Sequence, residues 1–191
     1  MKKPYPIIII SGPSGAGEDS IIEGLMKRLP IERVITTTTR EMRDNESQGH
    51  PYYFIASEEF QKGIDDNNFF EYAKQYNGNH YGVMRDELTR VQKSGKIGIW
   101  KLEYQGVIKA KKEIPDITSI FVNAPLDQLE ARIRRRDNVS DKYVAERMEY
   151  TKKWLEYKDI YNFEILNEDG KLLESIDKTE NIIRLTLGLD K

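Results

Sequence analysis

At 191 residues the chain is long enough to bury one substantial core, and a single folding unit over residues 1–191 is expected. Its 30 Lys and Arg nearly cancel its 32 Asp and Glu, so a net charge of -2 gives no reason to expect nucleic acid or an anionic membrane as partner. The lack of cysteine removes disulfides, thiolate metal sites and a cysteine nucleophile, and the longest apolar run, residues 6–10, is too short for a bilayer span or a signal-peptide core, so a soluble cytoplasmic protein is expected.

Residues 6–10, Pro-Ile-Ile-Ile-Ile, read as a β-branched buried strand. Gly, Pro and Ser follow, and then a helical pattern through Ile21, Ile22, Leu25 and Met26. From about 36 to 92 the pattern turns polar and aromatic, with turn signals at Asp44-Asn45, Gln48-Gly49-His50-Pro51 and Asn77-Gly78-Asn79. This segment is read as an inserted substrate-binding subdomain. Further buried strands are expected at 97–102, 118–122 and 163–166, with helices near 105–113, 126–135, 142–158 and 171–187. Strands alternating with helices predict an α/β fold with a mostly parallel sheet covered on both faces. The core is expected over 1–35, 93–127 and 149–191, and the charged stretch within 128–148 reads as a lid.

Gly12, Pro13, Ser14, Gly15, Ala16 and Gly17 stand directly after the first strand and before the first helix. That is the setting of a phosphate-cradling loop, in which backbone N–H groups and the positive end of the helix bind a polyphosphate. The next two positions of such a loop are ordinarily Lys, reaching the β and γ phosphates, and Ser or Thr, meeting magnesium. Here they are Glu18 and Asp19, followed by Ser20. Two unit charges about 4 Å apart interact by roughly 4 kcal/mol at an effective dielectric near 20, so an anion at position 18 works directly against ATP. Asp19 is a hard oxygen ligand and could hold magnesium itself or through water.

Over about residues 5–185 the chain resembles the guanylate kinases, P-loop kinases of nucleoside monophosphates, in several ordered motifs. Thr36-Thr-Thr-Thr-Arg40, with Arg43 and with Tyr52 inside the stretch 49–54, is similar to that family's clamp on the GMP phosphate. The chemistry agrees, since guanidinium forks and a tyrosine hydroxyl suit a phosphate dianion. Phe69-Phe-Glu-Tyr-Ala73 resembles the segment whose glutamate, here Glu71, accepts from the guanine ring N–H and amine. Asn79-His-Tyr-Gly82 implies Tyr81 as another phosphate ligand, whereas Val83 stands where the family has a Ser or Thr that contacts guanine. Leu102-Glu-Tyr-Gln-Gly106 puts Glu103 in the place of an aspartate that helps hold the base, and Lys101 where the family has an acid.

The two reversals, lysine to glutamate at 18 and acid to lysine at 101, fall at positions that P-loop folds bring together. Lys101 is therefore expected either to neutralise Glu18 or to reach the phosphates. The run Leu129-Glu-Ala-Arg132-Ile-Arg-Arg-Arg136, followed by Val144-Ala-Glu-Arg147, resembles the family's lid and nominates Arg132, Arg136 and Arg147 as ligands of ATP or of the transferring phosphoryl group. Leu166-Asn167-Glu168 resembles the motif beside the adenine pocket, which implies an ATP contact for Asn167. The resemblance implies ATP-dependent phosphorylation of GMP with magnesium, by a monomer or weak homodimer. A binding module without turnover and a related sugar-phosphate kinase are the alternative readings.

Overall fold

The computed structural model describes residues 5–74, 78–137 and 140–189, with the backbone alone for 136 and 137. In chain order it forms β1 (Ile7–Ser11), α1 (Glu18–Met26), β2 (Ile31–Arg33), β3 (Thr36–Thr38), β4 (Tyr52–Phe54), α2 (Ser57–Asp65), β5 (Phe69–Lys74) and β6 (His80–Met84). There follow α3 (Arg85–Lys93), β7 (Ile97–Lys101), α4 (Tyr104–Glu113), β8 (Thr118–Asn123), α5 (Leu126–Asp137), α6 (Asp141–Glu156), a short 3-10 turn at Lys158–Ile160, β9 (Phe163–Leu166) and α7 (Leu172–Leu187).

Five strands pair in the order β2-β7-β1-β8-β9, all parallel, with helices on both faces. The expected α/β class is therefore the observed one. Its cause lies in β1. Successive strand residues face opposite sides, and all four of its isoleucines are fully buried. Ile8 and Ile10 pack with Ile21, Ile22 and Leu25 of α1 and with Ile176 and Ile183 of α7. Ile7 and Ile9 pack on the other side with Val91, Trp100 and Val107. Each such burial contributes roughly 1.5–3 kcal/mol, enough to fix β1 at the sheet centre. A third cluster of Tyr104, Phe121 and Trp154 seats α6 against α4 and β8.

Between β2 and α3 the chain builds a second sheet in the order β4-β3-β6-β5. The β3–β4 pair is parallel, and the β3–β6 and β5–β6 pairs are antiparallel. The sequence reading found no strands in this stretch because β3 and β4 are three residues each and carry Thr, Tyr and Phe in place of an apolar alternation. The short edge strand β2, Ile-Glu-Arg, escaped notice for the same reason.

Candidate active site

The loop 12–17 leaves β1 at the C-terminal end of the central strand, and its shape depends on glycine at two places. Gly15 and Gly17 adopt φ of 88° and 92°, in the left-handed region that side chains disfavour. Gly12 packs so closely on β8 that an added Cβ would lie 2.2 Å from the Val122 carbonyl oxygen. Distant residues fasten the loop from outside. Asn167 Nδ2 donates to the Ala16 carbonyl (2.8 Å), and Arg132 Nη1 donates to that of Gly15 (3.0 Å). Arg132 also donates from Nη2 to the Asn167 carbonyl (2.8 Å) and to Asp169 Oδ1 (2.7 Å). Arg132 and Asn167, expected to touch ATP, thus brace the loop that would bind it. Ser14 and Ser20 are exposed on the loop and the first turn of α1.

The first turn of α1 carries both unusual acids. Glu18 is buried, and burial pushes its carboxyl up to about 7, with Lys101 acting in the opposite direction. Asp19 is exposed, and each of its oxygens meets a cation: Oδ1 accepts from Arg33 Nη2 at 3.0 Å and Oδ2 from Lys101 Nζ at 2.5 Å. Partial burial opposes the Asp19 charge, but Lys101 and Arg33 outweigh it and hold this carboxyl below its usual range. Lys101 ends β7 directly beside Ile10 of β1, and the Ser11 hydroxyl donates to the Leu102 carbonyl, tying the two strand ends together. Its ammonium therefore points toward the loop end of α1. No group of three His, Cys, Asp or Glu among the described residues is arranged to hold a metal. One carboxylate does suit a magnesium ion carried in on nucleotide phosphates, which keeps several waters and needs few protein ligands.

The second sheet presents the other half of the site. Paired residues share a face, and the register Thr36↔Tyr52, Thr38↔Tyr81 and Glu71↔Val83 puts Thr36, Tyr52, Tyr81, Glu71 and Val83 on one side. The Tyr52 and Tyr81 rings meet edge-on with centroids 5.8 Å apart, and the Arg40 guanidinium lies 5.6 Å from the Tyr52 ring centre. Arg40 Nη2 donates to both oxygens of Glu46, at 2.7 and 2.9 Å, and the Arg43 backbone N–H donates to Glu46 as well. Glu71 is half-buried, and desolvation raises its carboxyl to about 7; Lys109 opposes the shift and Glu103 adds to it. Glu103, the residue before α4, accepts a hydrogen bond from the Tyr150 hydroxyl of α6.

On α6, Arg147 stacks 5.2 Å from the Tyr143 ring centre and donates from Nε to its hydroxyl (3.2 Å). The side chain of Arg136 lies outside the described residues. Arg134 is engaged by Glu130 and Asp141. Sequence reasoning missed Glu46, Asp169, Arg33 and Tyr150. Only for Glu46 was a local signal present, an acid three residues beyond Arg43 in a loop already marked as binding an anion.

The chain matches the family described as guanylate kinase over residues 4–185. It is 35% identical over 184 residues to the guanylate kinase of Clostridium acetobutylicum, covering 96% of this chain and 87% of that protein. It is 38% identical over 167 residues to that of Buchnera aphidicola, covering 85% and 80%. Among solved structures, the guanylate kinase of Anaplasma phagocytophilum superposes with a TM-score of 0.72 at 26% identity, covering 98% of this chain and 89% of that one.

Proposed function

Since the chain belongs to the guanylate kinase family and phosphorylates GMP at the expense of ATP, we propose a division of labour between its two sheets. The loop 12–17 and the first turn of α1, through Glu18, Asp19 and Ser20, receive the ATP phosphates. Thr36, Arg40, Arg43, Tyr52 and Tyr81 hold the GMP phosphate, while Glu71 and Glu103 hold the base. An oxygen of the GMP phosphate bonds to the γ phosphorus as the bond from that phosphorus to the β–γ bridging oxygen breaks, leaving GDP and ADP. No general base is required, because the attacking phosphate is already ionised.

What the protein supplies is alignment and positive charge. Arg136 and Arg147 are assigned to the moving phosphoryl group. Arg132 and Asn167 keep the loop in shape and border the nucleotide. A magnesium ion on the ATP phosphates would be met by Asp19 and would neutralise charge there. In this reading the protein works in the cytoplasm as a monomer or weak homodimer; no helix among the described residues is long and apolar enough to cross a membrane.

The observation that carries the assignment of the acceptor site is the sheet register that brings Tyr52, Tyr81 and Glu71 to one face, with Arg40 over Tyr52. A phosphate monoester and an N–H-rich ring edge can then be held together. A sugar phosphate offers Glu71 no purine edge with two adjacent N–H donors. Coupled ADP release measured with GMP, AMP and ribose bisphosphate tests it. Turnover is expected with GMP and at least tenfold less with the others; a preference for ribose bisphosphate would overturn the assignment.

A further inference from the structure

A phosphate loop of this kind works through a lysine at its end, and this loop ends in Glu18. The missing charge has to come from another element if ATP is to be held. Among the described residues, three cations have hydrogen bonds to the loop or the first turn of α1. Arg132 is spent on the carbonyls of Gly15 and Asn167 and on Asp169. Arg33 ends β2, which pairs with β7 and is thereby one strand removed from β1. Lys101 ends β7, the immediate neighbour of β1, with its Cα paired to Ile10 one residue before the end of that strand.

Ligands of open parallel sheets gather at the C-terminal ends of the strands, and there a lysine on β7 approaches the same phosphates that a lysine on α1 would. Lys101 is 42% exposed at its side chain and held by a single carboxylate, Asp19. With the side chain this open to solvent, an incoming polyphosphate can take the ammonium over. Glu18 beside it is buried, whereas Asp19 and Lys101 stand at the surface of the loop end.

We propose that Lys101 supplies, from the end of β7, the phosphate-contacting cation that the loop lacks at position 18, with Asp19 holding its ammonium at the loop until ATP enters. The inference rests on the assignment of loop 12–17 as the ATP site. It makes the pair Glu18 and Lys101 an exchange of charge between two adjacent elements, so that the site keeps its cation while changing the strand or helix that carries it.

The test uses the full chain and its variants Lys101→Ala, Lys101→Met, Lys101→Arg and the double variant Glu18→Lys with Lys101→Ala. Thermal melts verify folding; Lys101→Met retains an apolar stem. Readouts are kcat, the KM for each substrate, and calorimetric binding of a non-hydrolysable ATP analogue in EDTA. Removing one preorganised donor to a transition-state charge costs about 10²–10³-fold in rate. Lys101→Ala and Lys101→Met are expected to lose about that in kcat and to weaken the analogue at least tenfold, with the KM for GMP unchanged. Lys101→Arg should retain an intermediate rate, and the double variant should recover at least tenfold over Lys101→Ala. Native turnover with Lys101→Met within twofold of it would overturn the proposal and leave the kinase assignment standing. Absence of native turnover would count against that assignment itself; the analogue would then decide, and equal affinity for native protein and Lys101→Met would overturn the role of Lys101.

Discussion

The Tyr150 hydroxyl of α6 donates to the carboxylate of Glu103, which stands at the start of α4 beside Glu71. One hydrogen bond thus joins the helix that carries Arg147 to the pocket assigned to the base. Tyr150→Phe is expected to remove it without disturbing the ring packing on Tyr104. A loss on the order of 1 kcal/mol corresponds to a KM for GMP about fivefold higher. The expected kinetic signature is a shift in KM for GMP with that for ATP unchanged; equal shifts in both would show that the bond stabilises only the helix.

In the role proposed for it, Glu71 must be ionised to accept from two guanine N–H groups, and desolvation raises its carboxyl to about 7. Protonated Glu71 predominates below that pH and offers a donor where the base needs an acceptor. At saturating ATP, kcat/KM for GMP should therefore rise from pH 6 to pH 8. In Glu71→Gln this component should vanish, with a loss of about tenfold or more at pH 8, equivalent to ~1.4 kcal/mol. A variant with the native profile would remove Glu71 from base recognition.

Glu18 predicts a stability change of definite sign. Its ordinary value is 4.5 and burial raises it to about 7, so between those limits the folded chain keeps a proton that the unfolded chain has released. The contribution is fully present below about pH 4.5 and is lost as pH rises to 7, by up to roughly 3 kcal/mol. Urea unfolding of the native chain and of Glu18→Gln at pH 5 and pH 8 should show the native chain losing ground to the variant at the higher pH. The opposite trend would mean that Lys101 outweighs burial.

Arg132 uses its planar fork to reach three different oxygen atoms, on Gly15, Asn167 and Asp169. A lysine ammonium cannot span that geometry. Arg132→Lys should cost about 2 kcal/mol of stability and raise the KM for ATP about tenfold or more, leaving that for GMP near native. Native ATP kinetics in this variant would show that the loop keeps its shape unaided.

Much of the parallel core could be read in advance because β1, β7 and β8 are short apolar runs sealed on both faces, a pattern visible without neighbours. The loop was equally legible, since glycine spacing after a strand is a local signal. The assignments proposed for Arg40, Tyr52, Glu71 and Tyr81 came from resemblance, and the strands that align Tyr52, Glu71 and Tyr81 carry no apolar alternation. Least legible were partners chosen by the fold: Asp169 reaches Arg132 across 37 positions, and Lys101 finds Asp19 across 82. The proximity of Lys101 to the loop was anticipated from strand topology; its partner was not, since Asp19 faces it and Glu18 turns inward.

The bracing of residues 12–17 by Arg132 and Asn167 bears on the order in which the molecule can be completed. The loop is made early, yet the side chains that hold Gly15 and Ala16 lie 117 and 151 positions downstream. Synthesis proceeds at roughly 5–20 residues per second, so a nascent chain carries this loop for several seconds without its fasteners. A ribosome-bound chain ending near residue 130 should present the second sheet, whose strands all lie between 36 and 84, with no competent ATP pocket. Nucleotide capture is then a property of the finished polypeptide, and a truncation that spares every glycine of the loop would still abolish it.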